Sequence, residues 1–120
     1  MKNSLVKNFI YTWKDNNIPE KYKKNIQSWM KHHNDWSFLF FSDNEIEKFV
    51  LKNFPNYYKF FKNFEKPIER VDFFKYLAVY SFGGLYIDCD VYLHKNIEEL
   101  LISNNVFFKE KDVAELDRYG

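Results

Sequence analysis

A chain of 120 residues has room for one compact unit around a single core and little for a second. Its 18 Lys+Arg against 17 Asp+Glu leave a formal net charge of +1, so no global field draws it to nucleic acid, which is not expected as a partner. One cysteine, Cys89, excludes an intramolecular disulfide and a cysteine zinc ribbon, and three Gly with three Pro exclude a collagenous or Pro/Gly-rich disordered chain.

The start, Met1 to Phe9, has no apolar run of signal-peptide length, and no window approaches the roughly 18 apolar residues of a membrane span. A cytoplasmic chain is expected, with any membrane association carried by segments outside these residues. Leu5 to Trp13 is rich in β-branched and aromatic residues and predicts a first strand, closed by the polar run Lys14 to Asn17. Pro19 then suits a helix start, and Tyr22, Ile26, Trp29 and Met30 recur at helical spacing as far as His32. Trp36 to Phe41 predicts a second strand. Ser42 to Glu45 has capping-box spacing before Ile46, Phe49 and Val50. Pro55 opens a short aromatic helical stretch over Tyr57 to Phe64, and Pro67 opens a longer one that stops at Gly83-Gly84, where the first glycine can supply a left-handed C-cap residue. Leu85 to Asp88 alternates as a strand, Ile97 to Ile102 reads as a short helix, and Val106-Phe107-Phe108 as a further strand. Helices between strands predict an α/β domain with a mainly parallel sheet, its functional groups at the strand C-termini. The charged stretch Lys109 to Gly120 has no place in the predicted core.

The helix over Pro67 to Phe82 is apolar around most of its circumference, which predicts burial and makes its charges costly. At about 100° per residue, Glu69, Asp72, Lys75 and Tyr76 share one sector of roughly 120°. The plain explanation is an internal ion pair, Asp72 with Lys75. The glycine pair that follows lets the chain turn tightly beside a ligand, and the next strand sends Tyr86 and Asp88 to one face and Leu85 and Ile87 to the other. Asp88 and Asp90, two apart on an extended backbone, point the same way about 6.6 Å from each other, too far to grip one ion symmetrically. Together with diphosphate oxygens, such carboxylates select Mg²⁺ or Mn²⁺ over zinc.

Asp-X-Asp alone is a weak signal, but its setting is specific. Arg70-Val71-Asp72-Phe73-Phe74-Lys75-Tyr76, then Tyr80-Ser81-Phe82-Gly83-Gly84-Leu85-Tyr86-Ile87-Asp88-Cys89-Asp90-Val91, resembles the "DXD sugar-binding region" glycosyltransferases. That family includes fungal outer-chain mannosyltransferases, bacterial capsular polysaccharide transferases and, distantly, the large clostridial glucosylating toxins. Phe9 to Lys14, Ile18-Pro19-Glu20, Ser28-Trp29, Asn34-Asp35-Trp36 and Ser42-Asp43 are similar in order and spacing, so the resemblance spans roughly residues 9 to 100.

The resemblance implies a GT-A-like, Rossmann-type nucleotide-sugar-binding fold, incomplete here, with residues 1–120 forming one domain, the donor-binding N-terminal part. It implies that Trp13 lies beside the nucleotide base, that Asp72 contacts sugar or ribose, and that Tyr86 lines the same pocket. Asp88 and Asp90 would serve the metal, ribose and diphosphate. Lys75 stands in the donor site where many relatives carry Arg, a point charge in place of a planar two-pronged donor. Thr12 stands where a Gln is common. The implied function is a metal-dependent transfer, with retention, from a UDP- or GDP-sugar to a glycan, lipid or protein hydroxyl.

Two other classes compete with it: a non-catalytic nucleotide-sugar or carbohydrate binding remnant, and a structural partner subunit. Relatives continue well beyond Asp-X-Asp, so this chain is expected to bind donor weakly, to hydrolyse it slowly at most, and either to self-associate through aromatic surface or to need a longer chain. Trp29 and Trp36 are expected in the core, Cys89 as a small packed hydrophobe, His32 and His33 at a solvated helix end, and Lys21 to Lys24 on a solvated face.

Overall fold

The computed structural model describes residues 6–103. Within them the chain runs β1 (Asn8–Trp13), α1 (Glu20–His32), β2 (Ser37–Ser42), α2 (Asp43–Asn53), α3 (Pro55–Lys62), α4 (Pro67–Phe82), β3 (Leu85–Tyr86) and α5 (Glu98–Ser103). The strands form one parallel sheet in the order β2-β1-β3, so the expected α/β class with a parallel sheet holds. The strand expected over 106–108 and the charged stretch 109–120 lie outside the described residues. No helix among the described residues is long and apolar enough to cross a membrane.

Alternation along β1 divides the core in two. Phe9 enters one cluster with Ile26, Trp29 and Trp36, while Ile10 enters another with Ile46, Val50, Phe74 and Ala78. The first cluster lies under α1 and the second under α2 and α4, so both faces of the sheet are covered, as parallel strands require. Phe9 has no exposed surface and stacks on Trp36 at 4.0 Å between ring centroids. Trp29 and Trp36 are core residues, as expected.

The local signals act where they were read. Ser42 accepts from the Glu45 N–H at 3.3 Å and Glu45 returns a bond to the Ser42 N–H at 2.9 Å, which closes the capping box of α2. Gly83 and Gly84 have φ of 74° and 95°, a region that side chains other than glycine rarely enter. A Cβ on Gly84 would stand 2.1 Å from the Asn8 carbonyl oxygen, so the absence of a side chain lets β3 lie against β1.

Three expectations need correction. The helix over 67–82 buries its charges only in part: Phe74, Leu77, Ala78 and Val79 turn to the core, the Lys75 side chain is 32% exposed and Arg70 Nε is buried, but the Asp72 side chain lies off the core-facing sector and is 58% exposed. The last strand ends at Tyr86, although the Ile87 N–H still reaches the Ile10 carbonyl at 2.9 Å. Asp88 and Asp90 therefore do not share an extended backbone; the chain turns there, with the Val91 N–H on the Asp88 carbonyl at 3.3 Å. Finally, His33 is wholly buried rather than solvated, because Phe9 and Trp36 close over its ring.

Candidate functional site

The chain moves from β1 outward to β2 and then crosses back over β1 to place β3 on the other side. The strand order therefore reverses at β1, and an open α/β sheet has its crevice outside the carboxyl ends of its strands at such a point. A cavity of about 510 Å³ lies there, lined by Thr12, Trp13 and Lys14 at the end of β1, Pro67, Ile68, Val71 and Lys75 of α4, and Tyr86, Asp88, Cys89 and Asp90 at and beyond the end of β3. Tyr22 and Asp43 complete its wall. Five of the six side chains expected at a site, Trp13, Lys75, Tyr86, Asp88 and Asp90, thus meet in one place. Asp72 is not part of the lining. Its Oδ1 lies 3.2 Å from Lys75 Nζ one turn along α4, so it acts on the cavity through that lysine.

Tyr86 organises the floor. Its hydroxyl and that of Thr12 are 2.6 Å apart, and Lys75 Nζ stands 4.6 Å from its ring centre, a cation–π contact. Burial pushes the Tyr86 phenol up to about 12, so it is a neutral hydroxyl throughout the physiological range. Lys75 is therefore held from two sides, by a carboxylate and by a ring. Trp13 packs its ring 5.0 Å from that of Tyr22, and its indole Nε1–H is buried with no hydrogen-bond partner among the described residues. A buried donor left in this state is uncommon and marks a place where a ligand acceptor can be met.

Cys89 packs in the α1-side core as the small hydrophobe expected, although the chain turns there instead of alternating as a strand. Its Sγ donates to the Thr12 carbonyl at 3.3 Å, and burial pushes its thiol up to about 11, so it packs as an inert group. The strap that follows is tied to α1. Asn25 Nδ2 donates to the Cys89 carbonyl (2.9 Å), Trp29 Nε1 to the Val91 carbonyl (3.0 Å), and the Leu93 N–H donates to Ser28 Oγ (2.8 Å). These bonds fix the backbone that carries Asp88 and Asp90. Three residues of α1 thus serve the site without touching the cavity.

Sequence reasoning passed over Thr12 as a site residue and gave Asp43 a place beside the cap of α2 and in the family resemblance, with no role in the site. Asp43 follows β2 at the same sheet edge, and the desolvation there raises its carboxyl, against the opposing pull of Arg70. The signal that would have found it is position: a polar residue immediately after a parallel strand stands at the crevice edge.

Residues 19–107 match the family described as "Glycosyltransferase sugar-binding region containing DXD motif". Among curated proteins, the chain is similar to inositol phosphoceramide mannosyltransferase 1 of Schizosaccharomyces pombe, 32% identical over 92 residues that cover 74% of this chain and 29% of that protein. It is similar to a mannosyl phosphorylinositol ceramide synthase of Saccharomyces cerevisiae, 32% identical over 90 residues, 75% of this chain and 24% of that protein. Initiation-specific alpha-1,6-mannosyltransferase of Candida albicans is 26% identical over 113 residues, 88% of this chain and 29% of that protein. The chain therefore spans between 24% and 29% of the length of these relatives. No solved structure gives a significant match.

Proposed function

The chain belongs to the family of glycosyltransferase sugar-binding regions containing a DXD motif, and from that premise we propose that its cavity is the donor side of a glycosyltransferase site. The donor is a nucleotide-sugar, UDP- or GDP-linked, and the relatives' names favour mannose as the sugar. The acceptor is a hydroxyl of a glycan, lipid or protein, and the transfer retains the anomeric configuration. The observation that carries this reading is the meeting of Trp13, Lys75, Tyr86, Asp88 and Asp90 around one cavity at the sheet's crossover point.

The donor set suits a hard cation. Asp88 and Asp90 are exposed carboxylates at the cavity, and the sulfur between them, Cys89, is buried with its Sγ on the Thr12 carbonyl. Among the described residues no group of three or more His, Cys, Asp or Glu is placed to hold an ion by itself. Asp88 and Asp90 would therefore hold Mn²⁺ or Mg²⁺ jointly with diphosphate oxygens. When bound, such an ion neutralises the negative charge of the leaving nucleoside diphosphate.

The chain's own groups do the rest. Lys75, steadied by Asp72 and the Tyr86 ring, adds a positive charge whose position costs no rearrangement when the donor arrives. Trp13 offers a flat apolar face for the base, and its in-plane N–H, unused among the described residues, is left for an acceptor atom of the donor outside the stacked ring. Asp72, outside the lining, serves the donor by holding Lys75 rather than by the sugar or ribose contact that the resemblance implies. Donor binding without transfer is the second reading, favoured by a site in which no three His, Cys, Asp or Glu among the described residues are placed to hold an ion by themselves.

Calorimetry of GDP-mannose and UDP-sugars with Mn²⁺ tests the assignment. Asp88→Asn and Asp90→Asn should each weaken metal-dependent binding by about tenfold or more with the thermal melt preserved, since an amide is a poorer ligand for a hard cation. Equal affinity in the wild type and both variants contradicts the metal role.

A further inference from the structure

Asp88 and Asp90, the two carboxylates assigned to the cation, stand on a turn whose own hydrogen bond is long. The Val91 N–H reaches the Asp88 carbonyl at 3.3 Å, against about 2.9 to 3.0 Å for a well-formed N–H···O bond. A turn closed so weakly does not by itself keep two exposed side chains at one spacing. Its shape is set from outside. Upstream, the Ile87 N–H on the Ile10 carbonyl at 2.9 Å ties the chain to β1. Downstream, Trp29 and Ser28 of α1 hold the Val91 carbonyl and the Leu93 N–H at 3.0 Å and 2.8 Å. Between the two carboxylates stands Cys89, and Asn25 holds it: Asn25 Nδ2 donates to the Cys89 carbonyl at 2.9 Å, while Cys89 Sγ rests on the Thr12 carbonyl at 3.3 Å.

The helix that carries Asn25 is firmly seated. Ile26 and Trp29 of α1 are 3% and 6% exposed in the core, and Tyr22, one turn before Asn25, packs on the ring of Trp13. Asn25 itself is no part of the cavity lining, so it reaches the site only through the Cys89 peptide. A group that holds the peptide between two cation ligands decides how far those ligands can spread, and cations differ in the spread they accept. Mg²⁺ demands near-ideal octahedral oxygens at about 2.0 to 2.1 Å, whereas Ca²⁺ takes about six to eight of them at about 2.3 to 2.6 Å in looser arrangements. A stiff turn therefore favours the small cation. We propose that Asn25 is a positioning residue that sets the cation preference of this site, by holding Asp88 and Asp90 in an arrangement suited to Mg²⁺ or Mn²⁺ rather than Ca²⁺. The inference rests on the donor reading above, and adds to it a residue outside the cavity and an order among cations.

Calorimetry of UDP and GDP with Mg²⁺, Mn²⁺, Ca²⁺ or EDTA tests it by reading binding rather than transfer. The wild type should bind its preferred nucleotide about tenfold more tightly with Mg²⁺ or Mn²⁺ than with Ca²⁺. Asn25→Leu, similar in shape but with no donor, should lose about tenfold with Mg²⁺ and Mn²⁺, the usual cost of removing a group that orients a metal ligand, and about threefold or less with Ca²⁺ or EDTA. Circular-dichroism melting checks that the variant is folded, and Asn25→Ala, which removes the same donor and cannot clash, takes its place if Asn25→Leu melts below the assay temperature. Equal loss under all four conditions in a folded variant makes Asn25 merely structural and overturns the proposal, as does a wild type that prefers Ca²⁺. If Asp88→Asn loses metal-dependent binding while folded Asn25→Leu keeps the wild-type ratio of Mg²⁺ to Ca²⁺ affinities, the donor reading stands and this inference alone falls. Binding of neither nucleotide by the wild type under any of the conditions overturns both.

Discussion

His33 is a buried imidazole with one nitrogen in use: Nε2 accepts the Ile97 N–H at 3.1 Å, and Nδ1 has no partner among the described residues. Burial lowers its pKa from the ordinary 6.5 and outweighs the nearby Glu98 and Asp35, which pull the other way, while Lys7 and His32 add to the lowering. The folded state therefore holds the neutral ring. Below pH 6.5 the unfolded chain takes up a proton that the folded chain refuses until its own lower pKa is reached, so stability falls as pH drops through that window. Asp35, held below its usual 3.8 by Lys7, adds its dependence at lower pH and does not mask this one. Urea unfolding at about pH 7.5 and about pH 5.5 should show the loss, and His33→Gln should flatten it. An unchanged slope in a folded His33→Gln contradicts the assignment.

At the level of elements, the helix boundaries were legible because their chemistry is local. Ser42 and Glu45 cap α2, prolines open α3 and α4, and the glycine pair stops α4. Ser42→Ala should cost about 1 kcal/mol in chemical denaturation, since it leaves the Glu45 N–H without its side-chain acceptor. Gly84→Ala should do more than lower stability. With φ at 95° and a Cβ driven against the Asn8 carbonyl, β3 must shift away from β1, so the melting temperature and donor binding should fall together. Loss of neither contradicts the account of that approach. What was not legible depends on partners far along the chain. Leu85 to Asp88 alternates like a longer strand, and only the turn from Asp88 to Val91 shortens it. The burial of His33 comes from rings on β1 and from Trp36, and the bonds from Asn25, Ser28 and Trp29 to the strap cross more than sixty positions. No local pattern announces such contacts.

Across the whole molecule, two cores back to back on one small sheet hold the ends of β1 and β3 together, and the cavity exists because the chain reverses its winding there. The site's legibility followed the same line. Lys75 stood out in the charged sector of the long helix, Tyr86, Asp88 and Asp90 at the end of the last strand, and Trp13 through the family resemblance, whereas the indirect place of Asp72 and the contributions of Thr12 and Asp43 needed the assembled fold. The central claim is that this cavity takes a nucleotide-sugar with a divalent cation, and a thermal-shift titration reads it directly. A ligand bound only by the folded chain adds about 2.7 kcal/mol at a hundred times its dissociation constant, which raises Tm by several degrees in a domain of this size. The account predicts that rise with a UDP- or GDP-sugar plus Mn²⁺, and a smaller one without the metal or in Asp88→Asn. No shift with any nucleotide-sugar at millimolar concentration, with or without Mn²⁺, would contradict it.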